Sequence, residues 1–158
     1  MKRLTVVAVL ISVFVAGCAP IATVRVLEPD RFAANESKFP DRATIFVFRG
    51  TGGGGAVFSF PVTLDQTKIG AISRKQYIAF PATAGTHWLS VVCPSICGMP
   101  GYKISLDVSA GKTYYFMIEP NVTFGYNNMT SSTNLTQIDK PFADKLMLTY
   151  QVAEPATP

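Results

Sequence analysis

Side chains that carry metal or nucleophilic chemistry are scarce in this sequence. The chain contains one histidine, His87, and three cysteines, at positions 18, 93 and 97. A zinc site needs more ligands than these supply, and no Gly-x-Ser-x-Gly elbow is present to hold a nucleophilic serine. The acidic residues show no spacing typical of a calcium loop or of a paired-carboxylate site. We therefore expect no catalytic residue, no metal and no cofactor, and predict that the protein is not an enzyme.

Charged residues and long apolar runs are also few. Asp, Glu, Lys and Arg make up 15% of the chain, and its formal net charge is +4. The basic residues form no run or stripe that could follow a phosphate backbone, so nucleic acid is not an expected partner. What the chain does have is an apolar fraction of 48%, with 11 Phe and 6 Tyr. Such a composition predicts a well-packed hydrophobic core.

The N-terminus has the pattern of an export signal. Lys2 and Arg3 form a basic head, and residues 4–16 are nearly all apolar. A run of this length is typical of a secretory signal peptide, whereas a membrane-spanning helix needs about 20 residues. The next residues, Gly17 and Cys18, end the pattern with a small residue and a cysteine.

Residues 15–18, Val-Ala-Gly-Cys, resemble the lipobox of bacterial lipoproteins. The resemblance implies cleavage before Cys18, a diacylglycerol on its thiol and acylation of its new amino group. Several acyl chains hold a protein on a membrane almost permanently, because each buried methylene contributes about 0.8 kcal/mol. By the same resemblance, an Asp directly after the lipidated cysteine would retain the protein in the inner membrane. Ala19 stands at this position instead, which favours the outer membrane, facing the periplasm. An ordinary N-terminal helix or a plain secretory signal is the alternative interpretation.

Cys93 and Cys97 form an even pair once Cys18 carries lipid. Disulfides persist in the oxidising envelope, so we predict a disulfide between Cys93 and Cys97. A thioredoxin-type redox site would show Cys-x-x-Cys at a helix start, whereas here three residues separate the cysteines. A free thiol pair is the alternative. A ring this small stabilises by only about 2 kcal/mol, so its expected role is to stiffen a turn.

Strand patterns follow one another from residue 43 onward at intervals of about 8–12 residues. They occupy residues 43–49, 56–64, 69–72, 75–82, 87–93, 102–108, 113–120 and 146–152. Apolar side chains on both faces of 43–49 predict a central strand, and Pro61 predicts an edge or a bulge. No long helical period occurs beyond the signal. The predicted fold class is all-β, a single antiparallel β-sandwich of about 7–8 strands after a cleaved lipoprotein signal peptide.

This pattern divides the chain into four predicted segments. They are a signal peptide (1–17), a lipidated Cys with a flexible tether (18–42), the β-sandwich domain (43–152) and a disordered tail (153–158). The Gly-rich stretch 50–55 lacks the Lys-Ser/Thr of a phosphate loop and is interpreted as a hairpin loop. The polar stretch 121–137 is predicted to be a long loop, either a simple connection or a recognition surface.

His87 and Trp88 are the remaining candidate residues. With no triad partners in the sequence, His87 is interpreted as a hydrogen-bonded turn or strand-end residue. Trp88 shares a strand face with Ser90. If that face is exposed, Trp88 is a candidate contact residue. Packing beneath a loop is the alternative.

Four stretches together resemble an uncharacterised family of small bacterial lipoproteins, a domain of unknown function, and their short motifs look like those of PEGA-type surface modules. They are IFVFRG, VTLDQTKIGAI, YIAFPATAGTHWLSV and LDVSAGKTYYFMIEP, within about residues 43–120. The resemblance implies a β-sandwich on a lipid anchor and no known activity. The family usually has Asp-Gly at the hairpin where this chain has residues 65–67, Asp-Gln-Thr, so we expect a longer turn.

These features lead to one functional expectation and one alternative. The first is a non-enzymatic, membrane-anchored envelope lipoprotein, an interaction or structural module in the periplasm. Its partner would be an envelope protein or peptidoglycan. The alternative is a lipoprotein that binds a small ligand or a glycan between the 50–55 and 121–137 loops.

Overall fold

The computed structural model describes residues 39–52, 57–92, 101–124 and 129–156. These residues form nine strands and one helix: β1 (Ala43–Arg49), β2 (Phe60–Leu64), β3 (Thr67–Ile72), β4 (Gln76–Ala82), β5 (Gly85–Val91), β6 (Tyr102–Val108), β7 (Thr113–Phe124), β8 (Met129–Gln137), α1 (Lys140–Met147) and β9 (Gln151–Val152). One sheet has the order β8-β7-β1-β4-β9 and the other β3-β2-β5-β6. The predicted all-β sandwich is confirmed, with slightly more strands than expected. Neighbours are antiparallel except for β1 with β7 and β4 with β9, which are parallel.

The core lies between the two sheets and follows the two-residue period of the strands. In β1, Ile45 and Val47 point into the core and are fully buried, while Phe46 and Phe48 point to the opposite face. This strand pairs with β4 on one side and β7 on the other, so its predicted central position is confirmed. The facing sheet contributes the large buried side chains Phe60, Val62, Ile72, Leu89, Ile104 and Leu106.

The β2–β3 hairpin turns on two residues, Asp65 and Gln66. Both have positive φ, 48° and 71°, as in the type I′ turn whose twist matches that of paired strands. The longer turn that we expected is therefore wrong. Pro61 is not on an edge, because β2 lies between β3 and β5. The bulge alternative is correct: the β2–β3 register shifts between Val62 and Thr63.

The polar stretch 121–137 is a hairpin and not the predicted loop. β7 continues to Phe124, and β8 pairs with it over nine positions from Met129 to Gln137. In β8, Thr133 and Leu135 are buried while Asn134 and Thr136 are exposed. Its Ser, Thr and Asn content is that of an edge strand with one solvent-exposed face. Thr also favours strands, so this composition is compatible with β structure.

The predicted strand at 146–152 is mostly wrong. Helix α1 runs to Met147, and only Gln151–Val152 forms a strand. The helix starts at Lys140 because the side chain of Asp139 caps it, accepting a hydrogen bond from the Phe142 N–H at 2.9 Å. Pro141 in the first turn fits the helix start as well.

The C-terminal segment 153–156, which we predicted to be disordered, packs against the sandwich. Ala153 is 3% exposed, and its N–H donates to the Tyr77 carbonyl. Pro155 forms an antiparallel bridge with Gly70, and the Ala156 N–H donates to the Ile69 carbonyl. This segment therefore covers the outer edge of β3. Among the described residues, no helix is long and apolar enough to cross a membrane.

Candidate functional site

An aromatic layer covers part of the outer face of the five-stranded sheet, away from the sandwich core. It contains Phe46 and Phe48 of β1, Tyr77 of β4 and Tyr115 of β7. The strand register places Phe46 beside Tyr115 and Phe48 beside Tyr77, and the ring centroids are 5.2 Å apart in both pairs. Stacked rings at such distances stabilise one another beyond the area that they bury. The four rings thus form one packed aromatic surface.

Helix α1 covers one side of this layer and leaves a groove beside it. Ala143 of the helix is fully buried against the rings, and Met147 packs next to it. The groove, here called the aromatic groove, has a volume of about 690 Å³. It is lined mainly by Phe39, Phe46, Tyr77, Tyr115 and Met147. Its size and apolar walls are typical of ligand sites.

Polar groups in the groove come chiefly from the first turns of α1 and from β7. Lys140 donates to the Asp144 carboxylate at 2.5 Å, an i,i+4 pair that lines the groove. This hydrogen bond raises the pKa of Lys140. Burial raises the pKa of the Tyr115 phenol, so its hydroxyl stays protonated at neutral pH. The groove therefore offers aromatic faces, a neutral hydroxyl, a cation and a carboxylate.

Among the residues that the structure describes, the lining of the aromatic groove contains no histidine, cysteine or serine. Across the part of the chain that the structure describes, no three His, Cys, Asp or Glu side chains come together as metal ligands.

His87 is held by hydrogen bonds, as we interpreted it. It lies in β5, 9% exposed, with Nδ1 2.6 Å from Oδ2 of Asp65 and Nε2 2.8 Å from the Thr83 carbonyl. The other oxygen of Asp65 accepts from the Trp88 N–H at 2.8 Å. These bonds connect the β2–β3 turn to β5, so the pair acts as a structural clasp.

The pKa values of the two groups move apart. The hydrogen bond from His87 lowers the pKa of Asp65. Partial burial opposes the charged form of His87, but hydrogen bonds to Asp65 and Thr83 outweigh it and raise the pKa of His87. Both shifts favour the ionised forms, the imidazolium of His87 and the carboxylate of Asp65.

Trp88 lies on the outer face of the four-stranded sheet and does not contribute to the aromatic groove. It is partly buried, and Nζ of Lys103 lies 4.4 Å from its ring centroid. Its role as a contact residue stays a prediction. Cys18, Cys93, Cys97 and residues 53–56 of the Gly-rich stretch lie outside the described residues, so the lipid and disulfide predictions also stay predictions.

Sequence reasoning missed the aromatic groove, although one signal for it was present. Phe46 and Phe48 alternate with the core residues of β1 and were used only to predict a central strand. Outward rings on β4 and β7, Tyr77 and Tyr115, repeat this pattern. What the sequence does not show is that these three strands are neighbours.

Searches against known proteins identify no relative: no protein-family model, no curated protein and no solved structure matches this chain. Its function must therefore be argued from its own residues.

Proposed function

We propose that the mature protein is a non-enzymatic lipoprotein of the bacterial envelope, an interaction or structural module held by lipid on Cys18. We further propose that it is anchored to the outer membrane and faces the periplasm. The observation that carries the proposal is the N-terminal pattern: a basic head, the apolar run 4–16, and Val-Ala-Gly-Cys at 15–18. Charge, length, small residues and cysteine all fall in the order that lipoprotein processing requires.

The aromatic groove supports an interaction role and suggests where the partner lies. Phe39 lines the groove and immediately precedes the turn that leads into β1. The chain from Cys18 thus enters the domain beside the groove. A flexible chain of about 20 residues spans roughly 25 Å on average, so the groove would remain close to the anchoring membrane.

The chemistry of the groove fits either of the partners that we propose. Aromatic faces stack against the apolar face of a sugar ring or an apolar peptide side chain, and Lys140 and Asp144 offer a donor and an acceptor to neighbouring polar groups. An envelope protein or peptidoglycan would supply both the apolar surface and the polar groups that these side chains can bind. The second candidate, a small-ligand or glycan binder, is favoured by the groove volume. It can no longer use a 121–137 loop, because that stretch is a hairpin.

Metabolic labelling tests the anchor. Cells fed labelled palmitate should label the wild-type protein and the Cys97→Ala variant, and should leave Cys18→Ala unlabelled. The labelled protein should fractionate with the outer membrane. An unlabelled wild-type protein in the cytosolic fraction would refute the proposal.

Photo-crosslinking tests the role of the groove with a matched pair of positions. Phe39 and Phe142 are each 44% exposed, but only Phe39 lines the groove. A photo-reactive residue at position 39 should give a discrete adduct in living cells, and the same residue at 142 should not. Sensitivity of the adduct to protease or to a muramidase then separates a protein partner from peptidoglycan. Equal yields at both positions, or none at either, would contradict a partner at the groove.

A further inference from the structure

The two sheets as described end in four edge strands, and three of these have features that oppose pairing with an unrelated strand. The edge of β3 is covered by the 153–156 segment, and β9 has only two residues. β6 carries the exposed charges of Lys103 and Asp107, which pairing with an unrelated neutral strand would leave unmatched. Natural sheets use covering segments, short strands and charges in this way to prevent edge-to-edge association.

The fourth edge strand, β8, has none of these features within the described ranges. It runs for nine residues, Met129–Gln137, and contains no proline and no charged residue. One of its edges pairs with β7 along its whole length, and the other faces away from the sheet. An edge of this length and composition is a template for a further strand.

We propose that β8 pairs antiparallel with β8 of a second copy of this chain, about a two-fold axis that joins two five-stranded sheets into one. In such an isologous contact, a residue on the axis faces the same residue of the other copy. Every other residue faces the residue of the other copy that lies equally far from the axis in sequence, on the opposite side. Among the side chains of this strand that the structure describes, Ser132, Asn134 and Thr136 are exposed, and all three are neutral. Self-pairing therefore brings no like charges face to face, the arrangement that destabilises cross-strand pairs.

The neighbouring strand β6 gives an independent reason to choose a second copy over an unrelated strand. β6 lies beside β8 on the same flank of the sandwich, so an axis perpendicular to the sheets also brings β6 towards its counterpart. Lys103 and Asp107 are symmetric about Ser105 in the β6 sequence. In the antiparallel register centred on Ser105, Lys103 of one copy faces Asp107 of the other. The flank is thus self-complementary in charge. The proposed dimer depends on neither the lipid anchor nor the aromatic groove.

Sedimentation of the full-length chain in detergent tests the proposal. The wild-type protein should be a dimer with a measurable dissociation constant. Asn134→Lys places two like charges near the axis and should raise that constant by at least about tenfold. Thr67→Lys adds the same charge at an exposed position of β3, the edge of the four-stranded sheet opposite β6, and should leave the constant unchanged. A wild-type protein that is monomeric at all concentrations, or an Asn134→Lys protein that remains a wild-type-like dimer, would overturn the proposal.

A charge-swap experiment separates loss of pairing from loss of folding. Asn134→Lys and Asn134→Glu should each be mainly monomeric with the wild-type circular dichroism spectrum, because Asn134 is exposed. Mixing the two variants should restore a mixed dimer, since lysine then faces glutamate. Failure of the mixture to dimerise would show that β8 is not paired with its own copy near position 134.

Discussion

Oδ2 of Asp65 lies 2.6 Å from Nδ1 of His87, across the end of the β2–β3 hairpin. The opposite ring nitrogen, Nε2, lies 2.8 Å from the Thr83 carbonyl, which can only accept. Both ring nitrogens therefore face acceptors, and the doubly protonated ring satisfies them together. The clasp depends on charge, so it must depend on pH.

We predict that the clasp stabilises the domain most between the ordinary pKa values of its two groups, 3.8 for Asp and 6.5 for His. Because the pKa of His87 is raised on folding, its contribution is complete below 6.5 and is lost as pH rises through the raised value. Because the pKa of Asp65 is lowered, its contribution is complete above 3.8 and is lost as pH falls through the lowered value.

Urea unfolding at a series of pH values measures this dependence. Asp65→Asn keeps an oxygen for the Trp88 N–H and tolerates the positive φ of position 65, but removes the charge. It should flatten the loss of stability above 6.5. Asp107→Asn, on an exposed position of β6, should retain the wild-type profile. An unchanged profile in Asp65→Asn would contradict the ion pair.

The buried Arg49 provides a second prediction. Its guanidinium donates to the carbonyls of Phe58 and Ile72 and lies 4.2 Å from the Phe60 ring centroid. Burial and the nearby Arg74 lower its pKa to about 10, so it remains charged at neutral pH. Arg49→Met removes the donor from these buried carbonyls and should lower the free energy of unfolding by about 1–3 kcal/mol.

Urea denaturation checks this, with Arg74→Met as the control. Arg74 is exposed in the β3–β4 turn, and its replacement should change stability by no more than about 0.5 kcal/mol. Equal effects of the two substitutions would show that the carbonyl contacts of Arg49 contribute little.

Truncation of the C-terminus gives a third prediction. A chain ending at Val152 loses the Ala153–Tyr77 and Ala156–Ile69 hydrogen bonds and should be less stable by about 2 kcal/mol, roughly 1 kcal/mol per bond. It should also aggregate more readily, because the edge of β3 is then uncovered. A chain ending at Ala156 keeps both bonds and should match the full-length protein in urea denaturation and light scattering. Identical behaviour of the two truncations would contradict the covering role of this segment.

The predicted Cys93–Cys97 disulfide can be checked by titrating thiols in the unreduced, lipidated protein. We expect no reactive thiol before reduction and two after it, because Cys18 is modified. Reduction should lower stability only modestly, by about 2 kcal/mol, since the ring is small. Two reactive thiols in the unreduced protein would contradict the disulfide.

The strands that bury one clear face were predictable from sequence. The pattern at 102–108 coincides with β6, because burial on one face imposes a period of two on the apolar residues. The pattern at 43–49 coincides with β1, which is buried on both faces, because its β-branched and aromatic residues favour a strand. The interpretation of His87 as a hydrogen-bonded structural residue was also confirmed. A lone imidazole without partners for catalysis usually makes structural hydrogen bonds.

Three errors have identifiable physical causes. Leu146, Leu148, Tyr150 and Val152 alternate like a strand, but the Asp139 cap and Pro141 commit the preceding residues to a helix. The polar hairpin of β7 and β8 was mistaken for a loop, because an exposed edge strand and a loop draw on the same Ser, Thr and Asn residues. The aromatic groove needs Tyr77, Phe46 and Tyr115 on neighbouring strands, and their order β7-β1-β4 is a tertiary property.

The parallel pairing of β1 with β7 affects how the chain can fold. Thr44 pairs with Thr113 and Arg49 with Ile118. One side of β1, the first of the described strands, therefore pairs only with a strand roughly 70 residues later, a long-range contact of the kind that slows folding. Until β7 is available, the outer rings of β1 have no Tyr115 beside them. A chain synthesised from its N-terminus therefore keeps one side of β1 unpaired until β7 has been made, and we expect factors that shield exposed strands to act on β1 during that interval.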